Sequence, residues 1–318
     1  MSPASYRSWG LALAFGGVVA FAFRPILVKL CYEAYPVSPV TLLFLRMTLA
    51  LPFFLAVAWW LVRRPVPAGS PPRLPLRPRD WAAVAGLGFV GYYLASFLDM
   101  VGLQYVDAGT ARLIGFLYPT MVVALSLLFL KKSPSLRELA ALGISYAGIA
   151  LVVSHQIGGT AADRLFLFGV LLCMANALSY AVYLVAGSQL TQRIGSMRFT
   201  AYTMIAATLP AILQFFALEP LSALELPAQV WWYMLILVTF ATIAPVFMVA
   251  EALKRVGANH FALIGGVGPV ITVFAGAVGL GESVSATQIA GSALVIAGVL
   301  LVSLKPQAGG KPPNTRAS

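Results

Sequence analysis

Residues Leu103 to Val153 recur without a gap 150 positions later, as Leu253 to Ser303. Identities at that offset include Leu113/Leu263, Ile114/Ile264, Gly115/Gly265, Pro119/Pro269, Ala147/Ala297, Gly148/Gly298, Leu151/Leu301 and Val152/Val302. A fixed period outranks local signals, because each copy must be one structural unit. Both copies consist mainly of membrane-length apolar runs, so the chain reads as a duplicated membrane protein. Charge distinguishes the copies: Lys131-Lys132 in the first aligns with Gly281-Glu282 in the second, and Gln104 and Asp107 align with Lys254 and Gly257. Basic loops stay on the cytoplasmic side, so the two copies are expected to run in opposite directions. Inverted-topology repeats of this kind characterise secondary transporters.

Composition agrees, with 60% hydrophobic residues, 10% charged residues and a mean hydropathy of +0.89. Two cysteines, Cys31 and Cys173, rule out a disulfide scaffold and read as packing residues. The net charge of +11 falls in short loops between apolar runs, which points to membrane topology and away from nucleic acid. Ten apolar segments are expected as helices, over 9–30, 38–62, 80–103, 108–130, 136–154, 165–190, 199–218, 229–253, 259–280 and 286–304. The fold class is therefore all-α integral membrane, ten transmembrane helices as two inverted five-helix repeats. The repeats span 1–158 and 159–305, with 306–318 as a disordered cytoplasmic tail and Arg63 to Arg79 as a flexible linker. The first apolar run lacks a small-residue cleavage exit and is expected to remain as a helix.

With the N-terminus inside, 16 of the 21 Lys and Arg fall on the cytoplasmic side; only Lys29 and Arg164 face out, and Arg24, Arg46 and Arg112 lie within helices. Both termini are accordingly expected in the cytoplasm of a bacterial-type inner membrane. Glu33, Asp107, Asp163, Glu219, Glu225 and Glu282 collect on the outer side.

The five-plus-five arrangement, the run Phe23 to Arg46 (FRPILVKLCYEAYPVSPVTLLFLR), the stretch Leu103 to Leu130 with Tyr118-Pro119, and Gly279-Leu280-Gly281-Glu282 closing the ninth helix resemble the EamA branch of the drug/metabolite transporter superfamily. The resemblance covers nearly the whole chain. The first copy departs from it, carrying Leu130-Lys131-Lys132 where the family often has a Leu-Gly-Glu ending. Membership implies a basket of helices 1 to 4 and 6 to 9 around a central cavity. It also implies helices 5 and 10 packed at one side, and export or exchange of small metabolites.

Residue chemistry points the same way. Pro119 and Pro269 occupy equivalent places in helices 4 and 9, the latter behind Gly265-Gly266-Val267-Gly268, and mark a symmetry-related pair of helix breaks. Freed carbonyls at that depth are tolerated where they are buried in protein or line a cavity. Pro52 and Pro210 lack such a glycine cluster and read as plain kinks. Charges in hydrocarbon need partners or water. Arg24, Asp99 and Arg112 are expected in the outer half as an anion-attracting mouth, with Asp99 paired to Arg112 and serving as the candidate proton carrier; Arg46 and Lys29 also suit interfacial anchoring. Glu251 is expected to pair with Lys254 or Arg255, and His260 to be solvated. Tyr92, Ser96 and Asp99 share one face of helix 3, as Asn176, Tyr180 and Tyr183 share one face of helix 6. With Tyr118 and Gly266 they complete the expected substrate-binding set. Trp231, Trp232 and Tyr233 read as a membrane-interface belt. Gly143, Ala147, Gly148, Gly291, Ala297 and Gly298 fit helices 5 and 10 for close packing, against each other or in a homodimer.

The sequence carries no His-Glu-x-x-His, phosphate loop or metal-spaced cysteine pair, so no enzyme, cofactor or metal is expected and an ATP-driven pump is excluded within this chain. The expected partners are a small-molecule substrate and the lipid bilayer. The expected activity is export of a small polar or amphipathic metabolite, amino-acid-like by its cationic cluster, through alternating access. A sugar-phosphate or drug carrier, a membrane receptor or scaffold, and a channel are the alternatives.

Overall fold

The computed structural model describes residues 3–63, 76–130, 135–157 and 161–303. Lys131-Lys132, most of the 63–79 linker and the 306–318 tail lie outside the described residues. Among the described residues ten helices are long and apolar enough to cross a bilayer: α1 (Ser8–Ala34), α2 (Pro39–Arg63), α3 (Pro78–Gly102), α4 (Ala108–Leu128), α5 (Leu136–Gln156), α6 (Asp163–Ile194), α7 (Ser196–Leu218), α8 (Ala228–Val249), α9 (Leu263–Leu280) and α10 (Ala286–Ser303). Backbone groups inside hydrocarbon can be satisfied only within helices or closed barrels, and these runs take the helical solution. Their outward faces are apolar, with Val278 90% exposed and Phe216, Phe274 and Leu213 turned to the lipid. Trp59 and Trp60 sit exposed at the end of α2, where Arg63 stacks over the Trp59 ring at 4.4 Å. At the start of α8 only Trp232 faces the membrane; Trp231 and Tyr233 pack on the core instead.

An even number of crossings puts both ends on one face, here the terminal side, opposite the far side. Five crossings separate equivalent helices, so the second repeat is inverted relative to the first. The repeats interleave. α1 packs on α8 and α9, and α2 on α8; the mirror set has α6 on α3 and α4, and α7 on α3. Two four-helix bundles result, α1/α2/α8/α9 and α3/α4/α6/α7, each taking two helices from either repeat. They meet along α2 and α7 and along α4 and α9, while α5 and α10 pair at the side. Close approach there needs missing side chains: a Cβ on Gly148 would lie 2.7 Å from the Gly291 carbonyl oxygen. The small-residue stripes of α5 and α10 are thus used on each other within one chain.

Among the described residues five helices are interrupted, and four of the interruptions obey the repeat, while that of α1 has no counterpart in α6, which runs unbroken over Ala161–Ile194. In α3 a π segment, Phe89–Leu94, follows Pro78–Gly88; in α8 a π segment, Thr239–Ile243, follows Ala228–Val238, with both starts 150 positions apart. Pro245, just after the second π segment, has no N–H to close an α-turn. Helix α4 breaks at Phe116-Leu117 and α9 at Gly266. The prolines lie just beyond these breaks, Pro119 second in Tyr118–Leu130 and Pro269 third in Val267–Leu280, where a first helical turn does not need their N–H. By contrast, Pro52 and Pro210 sit inside unbroken helices. Helix α1 breaks at Phe23, ahead of Arg24-Pro25. The joint between α8 and α9 turns on Gly257 at φ 77°, a conformation open to glycine.

Candidate functional site

The interruptions converge on one interior cavity of about 290 Å³ between the two bundles. Phe21, Arg24 and Pro25 at the α1 break, Gly91 and Tyr92 in one π segment, and Ala241 and Thr242 in the other all line it. So do Gly115, Phe116 and Tyr118 around the α4 break and Gly265 beside that of α9. Each irregularity has a local reason. Ser179 donates to the Val90 carbonyl at 2.6 Å and Thr242 to the Leu237 carbonyl, five residues back, at 3.0 Å, supplying bonds that the π geometry loosens.

Four ionic side chains stand in the wall: Arg24, Arg46, Asp99 and Arg112. Asp99 pairs with Arg24, Oδ2 to Nη2 at 2.8 Å, and its Oδ1 accepts from Asn176 Nδ2 at 3.0 Å. The expected Asp99–Arg112 pair does not form. The α1 break turns Arg24 toward α3, where it takes the carboxylate, while Arg112 lies with its guanidinium beside Gly268 of α9. Arg46 is not an interfacial anchor: two turns into α2 it is only 3% exposed and faces the cavity. Among the described residues, buried nitrogens of the three cavity arginines have no hydrogen-bond partner, namely Nε of Arg24, Nε and Nη1 of Arg46, and Nε of Arg112. Unpaired cationic nitrogens in a dry interior are costly, and native structures rarely leave them without a reason.

Aromatic rings form part of the remaining wall. Tyr118 and Tyr180 meet edge to face with centroids 5.2 Å apart, and Tyr92 meets Tyr183 in the same manner at 5.2 Å. Of the expected site residues, Arg24, Tyr92, Ser96, Asp99, Arg112, Tyr118, Asn176 and Tyr180 line the cavity. Tyr183 stands behind it, stacked on Tyr180 at 5.7 Å and on Phe199 of α7 at 5.3 Å. Gly266 faces α10, where its Cβ would lie 3.2 Å from Ile296. Pro119 and Pro269 set helix direction without lining the wall. Sequence reasoning did not assign Met204, Thr242 or Phe261 to the cavity; Thr242 was open to discovery, since it aligns with Tyr92 at the repeat offset.

Bonds between the bundles close the far side. Besides Arg24–Asp99, Tyr32 donates to the Met100 carbonyl at 2.8 Å and Ser38 donates to Glu219 at 2.5 Å. Glu282 accepts from the Ala108 amide, the first of α4, at 2.7 Å and pairs with Lys29 at 3.3 Å. A carboxylate at a helix N-terminus answers both its free N–H groups and its dipole. Gly281 at φ 65° turns the chain back, and Gly276 leaves the space, since a Cβ there would meet Glu282 Oε2 at 2.5 Å. On the terminal side Arg193 pairs with Asp80 inside one bundle, Arg255 with Glu251 at 2.9 Å inside the other, and Arg137 of α5 donates to the Leu301 carbonyl of α10 at 2.8 Å. The Lys254 side chain lies outside the described residues. His260 is exposed, with Nδ1 3.0 Å from the Val256 carbonyl.

Comparison with known proteins agrees with this architecture. The chain is 28% identical over 286 residues to the uncharacterized transporter YcbK of Bacillus subtilis (strain 168), covering 86% of each. It is 23% identical over 310 residues to the uncharacterized transporter sll1319 of Synechocystis sp., covering 92% of this chain and 93% of that one. A solved crystal structure at 19% identity superposes with a TM-score of 0.62, covering 94% of this chain and 97% of the other, which extends the likeness to the fold. The model of the EamA-like transporter family matches residues 8–154 and 167–304, so both halves match and the chain belongs to that family.

Proposed function

We propose that this transporter is a secondary carrier of the bacterial-type inner membrane, with both termini cytoplasmic, that exports a small amphipathic metabolite bearing an anionic group. The observation that carries this reading is the pair of inverted, interrupted helices around a cavity whose arginines hold unpartnered nitrogens. A carboxylate supplies the missing acceptors, and Tyr92, Tyr118 and Tyr180 offer ring faces and hydroxyls to the remainder of a metabolite-sized molecule. The direction of transport rests on the family's habit and the location on the basic-residue bias. A cavity sealed on the far side by bonds that cross between the two bundles supports a reading of alternating access. Because the repeats interleave, the rocking bodies are the mixed bundles and not the sequence halves.

The test is flux in proteoliposomes against amino acids, aromatic metabolites and sugar phosphates, with and without a pH gradient. Saturable flux of one class is expected, with Arg112→Ala or Asp99→Ala lowering it at least tenfold, about what one charged hydrogen bond contributes. Normal flux in both folded variants would remove the cavity from the mechanism. Gradient dependence that disappears in Asp99→Asn would make Asp99 the proton carrier. Gradient independence would assign exchange or facilitated passage.

A further inference from the structure

We infer that the solute recognised in this cavity is a dianion without an ammonium group, an inference that rests on the cavity being the transport site. Three guanidinium groups and one carboxylate line the wall, and among the described residues no Lys, Glu or other Asp does, which leaves two positive charges uncompensated. The one carboxylate is committed. Both Asp99 oxygens are held, by Arg24 at 2.8 Å and by Asn176 at 3.0 Å. An α-ammonium would therefore enter a net positive enclosure with only neutral acceptors to receive it, and a low-dielectric wall magnifies that repulsion.

The unmatched charge belongs to Arg46 and Arg112, one from each bundle. Arg46 is 3% exposed with two nitrogens unpartnered, and Arg112 has one. A doubly charged carboxylate or phosphate solute would match both charges and offer acceptors to the unpartnered nitrogens. A planar guanidinium fork suits either, and bridging the two arginines would draw the bundles together over the solute. Arg46 is thus assigned as a specificity-determining residue for charge, acting beside Arg112, while Arg24 serves mainly to hold Asp99.

Counterflow by the purified, reconstituted full chain decides this, with succinate, glycerol phosphate, lactate and phenylalanine as competing solutes. The dianions should compete about tenfold or better over lactate and phenylalanine, one added charge contact being of that order. Arg46→Gln should bring succinate and lactate to near parity, read as the ratio of their competition within the residual flux. Should Arg46→Gln fail to fold, Arg46→Lys, which keeps the charge and loses the fork, should keep succinate ahead of lactate but weaken glycerol phosphate. Phenylalanine competing as well as succinate, or a succinate preference unchanged in Arg46→Gln, would overturn the charge assignment while leaving transport standing. Absence of flux for every solute across a broad panel would instead overturn the transport reading.

Discussion

At the scale of single residues, Arg24 and Asp99 connect the two bundles, and removing either leaves the other as an unmatched charge. Breaking a mostly buried pair costs more than the pair contributes, because the survivor keeps its desolvation penalty. Arg24→Gln should therefore lower stability in detergent by about 1–3 kcal/mol, the range for an orphaned polar partner, as read from the thermal midpoint. An unchanged midpoint would mean that water reaches Asp99. The inward chemistry of α3 and α6 was legible from i, i+4, i+7 spacing, which identified Tyr92, Ser96, Asp99, Asn176 and Tyr180 as cavity residues. The partner of Asp99 was not. Depth along a helix suggested Arg112, but the choice between arginines depends on how α1 turns at Phe23, a tertiary matter that no spacing reports.

Among elements, the interruptions organise the site, and those of α3, α8, α4 and α9 follow the repeat, whereas that of α1 does not. Glycines and prolines announced the breaks of α4 and α9. The π segment of α3 has no proline after it and no composition that marks it, although Trp81/Trp231, Leu87/Leu237 and Phe97/Phe247 carry the repeat register through the region. Replacing Pro119 and Pro269 together by Ala should slow turnover more than it weakens binding, because both residues start helical segments and neither lines the cavity. Parallel losses of kcat and of affinity would instead make them part of the binding wall. Between α5 and α10, Gly148→Leu should cost about 1–3 kcal/mol of stability through overpacking, with substrate affinity retained. A stable Gly148→Leu protein would mean that the two helices are not in close contact.

The molecule as a whole combines a symmetric scaffold with asymmetric chemistry. Arg24, Arg46, Asp99 and Arg112 all come from the first repeat, and their counterparts at the repeat offset include Val249 for Asp99 and Ala262 for Arg112. The far-side closure is asymmetric too. Glu282 caps α4 there, whereas the equivalent position in the first repeat is Lys132, a residue that cannot accept from a helix N-terminus. The far side thus has a carboxylate latch in Glu282. Glu282→Gln removes the ion pair with Lys29 and weakens the cap, and should raise labelling of a cysteine introduced at Ser96 by an impermeant thiol reagent added from the far side. Unaltered labelling would assign closure to the Arg24–Asp99 and Ser38–Glu219 contacts instead. Ten helices and their inversion were readable from apolar length and loop charge, while the mixing of the repeats into two bundles emerges only from packing.

On the proposed function a small organic anion crosses through the cavity between these bundles. Counterflow of labelled succinate into proteoliposomes, with wild type beside Arg112→Ala, decides whether it does. Saturable uptake by the wild type and at least a tenfold loss in a folded Arg112→Ala protein is the expected result. Equal uptake by the two would contradict it.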